Sequence, residues 1–226
     1  KELNLFSLPF LMPDYRAMDA LTQGQVGQQL FKVIEKNGVV PLAWGENGFR
    51  EVSNSKREIR TPADMKGMKL RVPQAPLFLM FTKSVGANAT PIAFAEVYLA
   101  LQNGTVEAQE NPLPTIEAKK FYEVQKNISL TGHIVDSLLT IVSGQLWGKL
   151  SDADKKIFTD VMQEAAEKAG REIIASEARL TDEFKKKGKN VIVVDKNAFR
   201  EAVLKNTKPA DHGYRQADYD RIVNIK

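Results

Sequence analysis

The longest periodic stretch of the sequence is LSDADKKIFTDVMQEAAEKAGREIIASEARLTDEFKKKG, at residues 150–188. Apolar side chains recur there at four-residue steps from Ile157 to Ile173, a spacing typical of one face of an amphipathic helix. Ser151 can cap the start of this helix, and the lysines near its end suit the helix dipole. If the helix is unbroken, it is long enough to bridge two lobes, with Gly170 as the position where it could kink.

The rest of the chain alternates apolar, strand-like segments with helix-like segments, which is typical of α/β proteins. The sequence predicts strands at 39–44, 68–72, 105–112 and 190–194, and helices at 25–38, 76–86, 94–104 and 196–204. It also predicts a compact helical turn at 61–67, a turn at the GENG segment 45–48, and a charged C-terminal tail that is amphipathic or loosely packed.

Composition narrows the possible chemistry. The chain has 226 residues, no cysteine and two widely separated histidines, His133 and His212. Disulfides, thiolate metal sites and cysteine nucleophiles are therefore excluded, and no metal or other cofactor is expected. The net charge of +4 is small and both signs are mixed, so no nucleic-acid partner is expected. The phosphate-binding loop, GxSxG and HExxH motifs of common enzyme classes are absent, as is an apolar run long enough to span a bilayer.

Three polar side chains lie where predicted strands end or begin. Arg71 ends the strand KLRV before Pro73, Asn111 ends the strand in QENP, and Arg50 follows the GENG turn. Ligands of open α/β sheets bind outside the carboxyl ends of strands. A guanidinium can hold a carboxylate through two parallel hydrogen bonds, which makes Arg71 a candidate contact to an acid. The alternative is that each arginine is solvated or paired with a nearby acidic side chain.

Aromatic side chains near these positions could cover the carbon skeleton of a bound molecule. Trp44 and Phe49 flank the GENG turn, and Phe94 opens the segment FAEVYLALQ. Packing in the core is the alternative role for each of them. Glu110 adjoins Asn111, but the sequence provides no second carboxylate as its partner in acid–base catalysis.

Two long segments resemble the DctP-type substrate-binding proteins of tripartite ATP-independent periplasmic (TRAP) transporters. They are ENGFREVSNSKREIRTPADMKGMKLRVPQAP and GANATPIAFAEVYLALQNGTVEAQENPLPTIEAKKFYEVQK. The order of KGMKLRVP, PIAFAEVYLALQNGTVEAQENP and FYEVQK is specific to this family. The resemblance extends from the N-terminus to about residue 205 and fades in the tail.

The resemblance implies a two-lobed α/β protein of the type II periplasmic binding class, with a ligand cleft between the lobes and a long helix spanning both. It implies a periplasmic protein without catalytic activity that captures an organic acid, of the sugar-acid or C4-dicarboxylate type, and delivers it to a TRAP membrane permease. Arg71, in the LRVP motif, would make the main bidentate contact to the carboxylate. The other site residues it implies are Arg50 and Asn111 as contacts, Phe94 in the pocket lining, and Gln74 and Trp44 facing the cleft.

Relatives in this family begin with strands and helices that precede LNLFSLPFLMP, so the first lobe is expected to be incomplete in this chain. Residues 1–47 and 136–175 are assigned to lobe I, and residues 48–135 and 176–226 to lobe II. A monomer is expected, with a dimer as the alternative if the leading segment is absent from the protein, because lobe I would then expose apolar surface.

Two other functions stay open at this point. One is an enzyme that anchors a carboxylate substrate through Arg71 and uses Glu110 or His133 as its base. The other is an interaction module whose cleft no longer binds a ligand. The identity of the acid is open as well, because two arginines suit either a diacid or a carboxylate flanked by hydroxyl groups.

Overall fold

Helices and strands alternate along the chain, which confirms the predicted α/β class. The structure is a computed structural model and describes residues 7–206, 208, 210, 215–217 and 220. The helices are α1 (Tyr15–Gln23), α2 (Gln25–Glu35), α3 (Pro76–Ser84), α4 (Val97–Gln102), α5 (Leu113–Ala118), α6 (Phe121–Val124), α7 (Gly144–Trp147), α8 (Asp152–Lys186) and α9 (Lys196–Asn206). The strands are β1 (Val39–Asn54), β2 (Lys69–Val72), β3 (Asn88–Pro91), β4 (Ala108–Pro112), β5 (Asn127–Leu130), β6 (Val135–Ser143) and β7 (Asn190–Val193).

The strands form one sheet in the order β3-β2-β4-β1-β5-β7, and β6 pairs with the first part of β1. Strand β2 is parallel to β3 and β4, and β5 is parallel to β7, whereas β1 is antiparallel to β4, β5 and β6. The mixture arises because β1 enters the sheet between β4 and β5 in the opposite direction. The last segment of β1 therefore begins at the edge of the sheet where β4 ends.

Helices cover both faces of this sheet. On one face Leu70 packs with Phe81 of α3 and Phe199 of α9 in one buried cluster. On the other face Ile128 packs with Phe184 of α8 in a second buried cluster. These side chains sort by the two-residue alternation of strands, which turns successive residues to opposite faces. The result is a helix–sheet–helix arrangement whose strand ends stay accessible at one edge.

Strand β1 differs from the prediction for this part of the chain. The sequence predicts a strand at 39–44 followed by a turn at 45–48, but β1 continues from Val39 to Asn54. The predicted turn is wrong because the glycines of GENG allow a break in strand register between Glu46 and Gly48 instead of a reversal. Residues 39–49 pair with β6, and residues 50–54 pair with β4 and β5.

The geometry of this irregular part of β1 requires a glycine at position 48. Its φ is +109°, and an added Cβ would lie 2.5 Å from Oε1 of Glu177 and 3.1 Å from Cβ of Pro112. That carboxylate oxygen also accepts a hydrogen bond from the amide of Phe49 at 2.9 Å, so it is not free to move away. The long helix α8 is thereby in direct contact with the backbone of β1 where the pairing partners of β1 change.

We expect Gly48→Ala to lower the free energy of unfolding by about 3 kcal/mol, from backbone strain together with the displacement of Glu177. The matched control is Gly188→Ala, whose φ is also positive, at +74°, but whose added Cβ meets nothing within 4 Å. The control should cost only about 1 kcal/mol. Urea unfolding of both variants measures the difference, and equal losses would contradict a role for the contact with Glu177.

The long helix is confirmed as α8, which runs without interruption over 35 residues. Ser151 caps its start by accepting a hydrogen bond from the amide of Asp154. Gly170 lies inside the helix beside β1, where an added Cβ would meet the side chain of Glu46 at 3.5 Å, an ordinary van der Waals distance. Among the described residues, none of the helices combines the length and the apolar character needed to cross a membrane.

The other predicted elements agree closely with the structure. The turn at 61–67 is a short 3₁₀ helix, Pro62–Met65, with a capping box between Thr61 and Asp64. The helix predicted at 94–104 begins as a 3₁₀ turn, Phe94–Glu96, and continues as α4. Most of the predicted C-terminal tail lies outside the described residues. The assignment of residues to two lobes stays a prediction.

Candidate functional site

An open cleft of about 710 Å³ lies at the edge of the sheet where β2 and β4 end. The two strands are parallel, with Arg71 opposite Gln109, so their carboxyl ends lie side by side. Arg50 reaches the same edge because antiparallel β1 places it opposite Pro112. The described residues that line the cleft are Asn47, Arg50, Arg71, Pro73, Gln74, Ile92, Ala93, Phe94, Asn111, Pro114, Thr115, Ala118, Lys119 and Ile173.

Arg71 lies at the end of β2 and is only 2% exposed. Its Nε and Nη2 both donate to the carbonyl oxygen of Ile92, at 3.0 and 2.8 Å. Its Nη1 is buried and has no hydrogen-bond partner among the described residues. Burial lowers the pKa of Arg71 from its usual value, with Glu110 opposing this effect and Arg50 adding to it. The guanidinium is therefore held along one edge by Ile92, and its third nitrogen is left without an acceptor among the described residues.

Arg50 is also buried, and each of its three guanidinium nitrogens donates to a protein acceptor. Its Nε and Nη2 bind the carboxylate of Glu110 as a fork, and Nη2 also donates to the backbone oxygen of Glu110 at 2.7 Å. Nη1 donates to Asp136 at 2.6 Å, and Nη2 contacts Oδ1 of Asn111 at 3.2 Å. The guanidinium carbon lies 4.8 Å from the ring centre of Phe78. Two carboxylates thus balance the charge of Arg50, whereas Arg71 has no ion pair among the described residues.

Glu110 and His133 form the buried support of this arrangement. Burial alone would raise the pKa of Glu110, but Arg50 and a hydrogen bond from His133 outweigh it and hold the pKa below its usual value. Burial lowers the pKa of His133, although Glu110 opposes this. A neutral His133 that donates from Nε2 to Glu110 at 3.2 Å must accept at Nδ1, where the Thr131 hydroxyl lies 2.8 Å away. The imidazole also stacks on Phe81, with the ring centres 3.9 Å apart.

Asn111, Gln74 and Phe94 lie in the cleft wall beside the arginines. The Asn111 amide is oriented by two bonds, because its Nδ2 donates to Gln109 at 2.7 Å while its Oδ1 accepts from Arg50. Phe94 is 44% exposed and packs edge-on against Phe121. The structure therefore brings five of the six predicted site residues to one cleft.

Trp44 is the exception. Its ring stacks on Phe31 with the ring centres 5.5 Å apart, and it lines a separate cavity of about 250 Å³ next to α2 and α8. Phe49 packs edge-on against Tyr15, in agreement with the alternative of core packing. The structure does not bring either ring into the cleft described above.

The sequence did not identify Asp136, the second carboxylate partner of Arg50, nor several of the residues that line the cleft. Asp136 follows Arg50 by 86 positions, and no local pattern connects the two. Thr115 and Lys119 were not identified either, although their four-residue spacing would have placed them on one face of a helix next to Asn111. Asn47 and Ile173 come from β1 and α8, and their position depends on how those elements pack.

An α/β fold with an open cleft and a buried, incompletely bonded arginine at its base has the features of a binding protein for small anionic solutes. The family described as "Bacterial extracellular solute-binding protein, family 7" (DctP) matches residues 1–211. The chain belongs to this family, which confirms the resemblance seen in its motifs.

Known proteins similar to this chain support the assignment. The sialic acid-binding periplasmic protein of Vibrio cholerae is 40% identical over 92% of this chain and 65% of its own length. A TRAP periplasmic solute-binding protein from Ralstonia eutropha, solved with (S)-2-acetolactate, is 42% identical with a TM-score of 0.91, over 99% of this chain and 74% of that chain. One from Polaromonas, bound to D-erythronate, is 38% identical with a TM-score of 0.95, over 100% of this chain and 75% of that chain. The chain thus spans slightly less than two thirds of the Vibrio relative.

Proposed function

We propose that the protein containing this chain captures a small organic acid and holds its carboxylate on Arg71. The observation that carries this proposal is the Nη1 of Arg71, which is buried and has no partner among the described residues, in a side chain that lines the cleft. A buried cationic donor is costly when unpaired. A carboxylate in the cleft removes that cost through charge-assisted hydrogen bonds, whereas a neutral ligand supplies a weaker acceptor.

The other cleft residues would complete the site around this contact. Arg50 holds Asn111 and Glu110 in place through its hydrogen bonds. Only those N–H groups of Arg50 that do not bind Glu110 or Asp136 would be free to donate to the ligand. The oriented amide of Asn111 and the amide of Gln74 would bind further oxygen atoms of the acid. Phe94 would cover its carbon skeleton. If Trp44 contacts a ligand, that contact would form outside this cleft.

We propose that the ligand is a sugar acid or a C4-dicarboxylate. The Ralstonia and Polaromonas structures hold acetolactate and erythronate, both small carboxylates with additional oxygen atoms. A cleft with amide and hydroxyl groups beside an arginine suits such compounds. The acid would be captured in the periplasm and delivered to the membrane subunits of a TRAP transporter, with the binding protein acting as a monomer.

Ligand capture would proceed by closure of two lobes, with residues 1–47 and 136–175 in one and residues 48–135 and 176–226 in the other. The switch of β1 from pairing with β6 to pairing with β4 and β5, near residues 49–50, supports this division. An element that changes its pairing partners close to a register break, here between Glu46 and Gly48, is a suitable hinge.

The enzyme alternative receives less support. Glu110 and His133, its candidate bases, are both fully buried and hydrogen-bonded to each other, and Glu110 is also bound by Arg50. Neither one lines the cleft, and no carboxylate or imidazole is among its described lining residues. A general base must reach the proton that it removes.

A thermal-shift screen tests the proposal. An organic acid at 100 times its dissociation constant should stabilise the chain by about 2.7 kcal/mol, which corresponds to roughly 5–10 °C in Tm for a chain of this size. The panel contains D-erythronate, succinate and D-glucuronate, with their neutral amides as controls. A shift with an acid but not with its amide supports the carboxylate clamp. Equal shifts with acid and amide, or none with any acid, would refute it.

A further inference from the structure

Helix α5 presents a polar face to the cleft that the arginine site does not explain. Thr115, Ala118 and Lys119 all line the cleft, and their spacing of three and four residues puts them on one side of the helix. Ala118, with its small side chain, lies next to Lys119 on this side. The face therefore offers a hydroxyl group and an ammonium group, one helical turn apart.

Lys119 is near the aromatic ring that also borders Arg71. Its Nζ lies 5.5 Å from the ring centre of Phe94, and the guanidinium carbon of Arg71 lies 5.9 Å from the same centre. Lys119 forms no ion pair with another described residue, in contrast to neighbouring Lys120, which contacts Glu123 at 3.9 Å. Phe94 thus has two cations near its ring, one at the base of the cleft and one on an exposed helix end.

We propose that Lys119 and Thr115 form a second polar subsite, which binds the oxygen atoms at the end of the ligand away from the carboxylate held by Arg71. This inference rests on the proposed function and adds a specificity-determining residue to it. Lys119 would donate to a hydroxyl, keto or carboxylate oxygen of the acid, and Thr115 would donate or accept one further hydrogen bond. The carbon skeleton between the two ends would lie against Phe94.

Charge balance supports a role for Lys119 in selecting the ligand. Arg50 is offset by Glu110 and Asp136, which leaves Arg71 and Lys119 as the cations that can serve the ligand. An acid with a second oxygen group can use both, whereas a plain fatty acid can use only Arg71. The alternative is that Lys119 does not contact the ligand and only stabilises the C-terminal end of α5, where a cation suits the helix dipole.

Three acids of four carbons separate these roles. Butyrate has the carboxylate alone, D-erythronate adds hydroxyl groups and succinate adds a second carboxylate. Dissociation constants are measured by calorimetric titration for the unmodified chain and for Lys119→Gln, Thr115→Val and Arg71→Gln. Lys120→Gln is the matched control, since it removes the same charge one residue away and outside the cleft lining.

We expect Lys119→Gln to weaken the binding of D-erythronate or succinate by about tenfold, and Lys120→Gln by less than about twofold, since only screened long-range attraction is lost. Thr115→Val should weaken D-erythronate binding by about threefold. Butyrate should show no difference between the two lysine variants. Equal effects of Lys119→Gln and Lys120→Gln on both oxygen-rich acids would overturn the subsite while leaving the Arg71 clamp intact. If neither acid binds the unmodified chain, the proposed function fails, and the subsite with it.

Discussion

Arg71→Gln is expected to weaken the binding of an organic acid by at least about 30-fold, because removing one partner of a buried, hydrogen-bonded charge pair costs about 2–5 kcal/mol. Glutamine retains a donor but loses both the charge and the planar fork that matches a carboxylate. Calorimetric titration with the acid that gives the largest thermal shift measures the effect. An affinity within a few-fold of the unmodified chain would show that Arg71 only anchors the loop at Ile92.

Two companion variants separate a ligand contact from a general loss of structure. Arg71→Lys keeps the charge without the fork, so its affinity should lie between that of Arg71→Gln and that of the unmodified chain. Arg60→Gln removes an exposed arginine that pairs with Glu58, and it should leave the affinity unchanged. Arg71→Gln removes two hydrogen bonds to Ile92 but also an unpartnered buried nitrogen, so these opposing effects should leave the stability of the ligand-free chain little changed. A large loss of stability would indicate a structural role instead.

The residues at the base of the cleft can be predicted from local sequence features. A strand pattern ending at Val72 before Pro73 fixes where β2 stops, and this places Arg71 at a strand end. The same argument holds for Asn111 at the end of β4. Parallel pairing of β2 and β4 then brings the two residues to one edge of the sheet. Residues of this kind are predictable because their position depends on one element and on a general rule for α/β sheets.

The rest of the site depends on contacts that no local pattern encodes. The GENG segment has the composition of a turn, yet tertiary pairing with β6 and the contact with Glu177 keep it within a strand. Trp44 is adjacent to this segment in sequence, but the direction of β1 turns its ring towards Phe31. Arg50 could be identified as a candidate, but its engagement with Asp136 depends on the pairing of β1 with β6.

Arg50→Met is expected to lower the free energy of unfolding by about 3–5 kcal/mol at neutral pH, because it leaves Glu110 buried without its cation. In the unmodified chain the pKa of Glu110 lies below its usual value, so Glu110 contributes stability above its unfolded pKa of about 4.5 and loses it as pH falls through the folded pKa. Without Arg50, burial is expected to raise the folded pKa above the unfolded one. The variant should then lose stability as pH rises, and the difference between the two proteins should grow from pH 5 to pH 7.5.

Urea unfolding at these two pH values measures the effect, and a second substitution isolates its cause. Arg50→Met combined with Glu110→Gln removes the stranded charge, so it should recover part of the lost stability and most of the pH dependence. Arg179→Met breaks a comparably short but exposed contact, with Glu183 at 2.6 Å, and should change the stability little. A pH-independent loss in Arg50→Met would contradict the role of Glu110 and point to the packing of Arg50 on Phe78. The two buried arginines of one cleft are thus expected to differ in their effects: loss of Arg50, which binds protein carboxylates, should weaken the fold, and loss of Arg71 should weaken ligand binding.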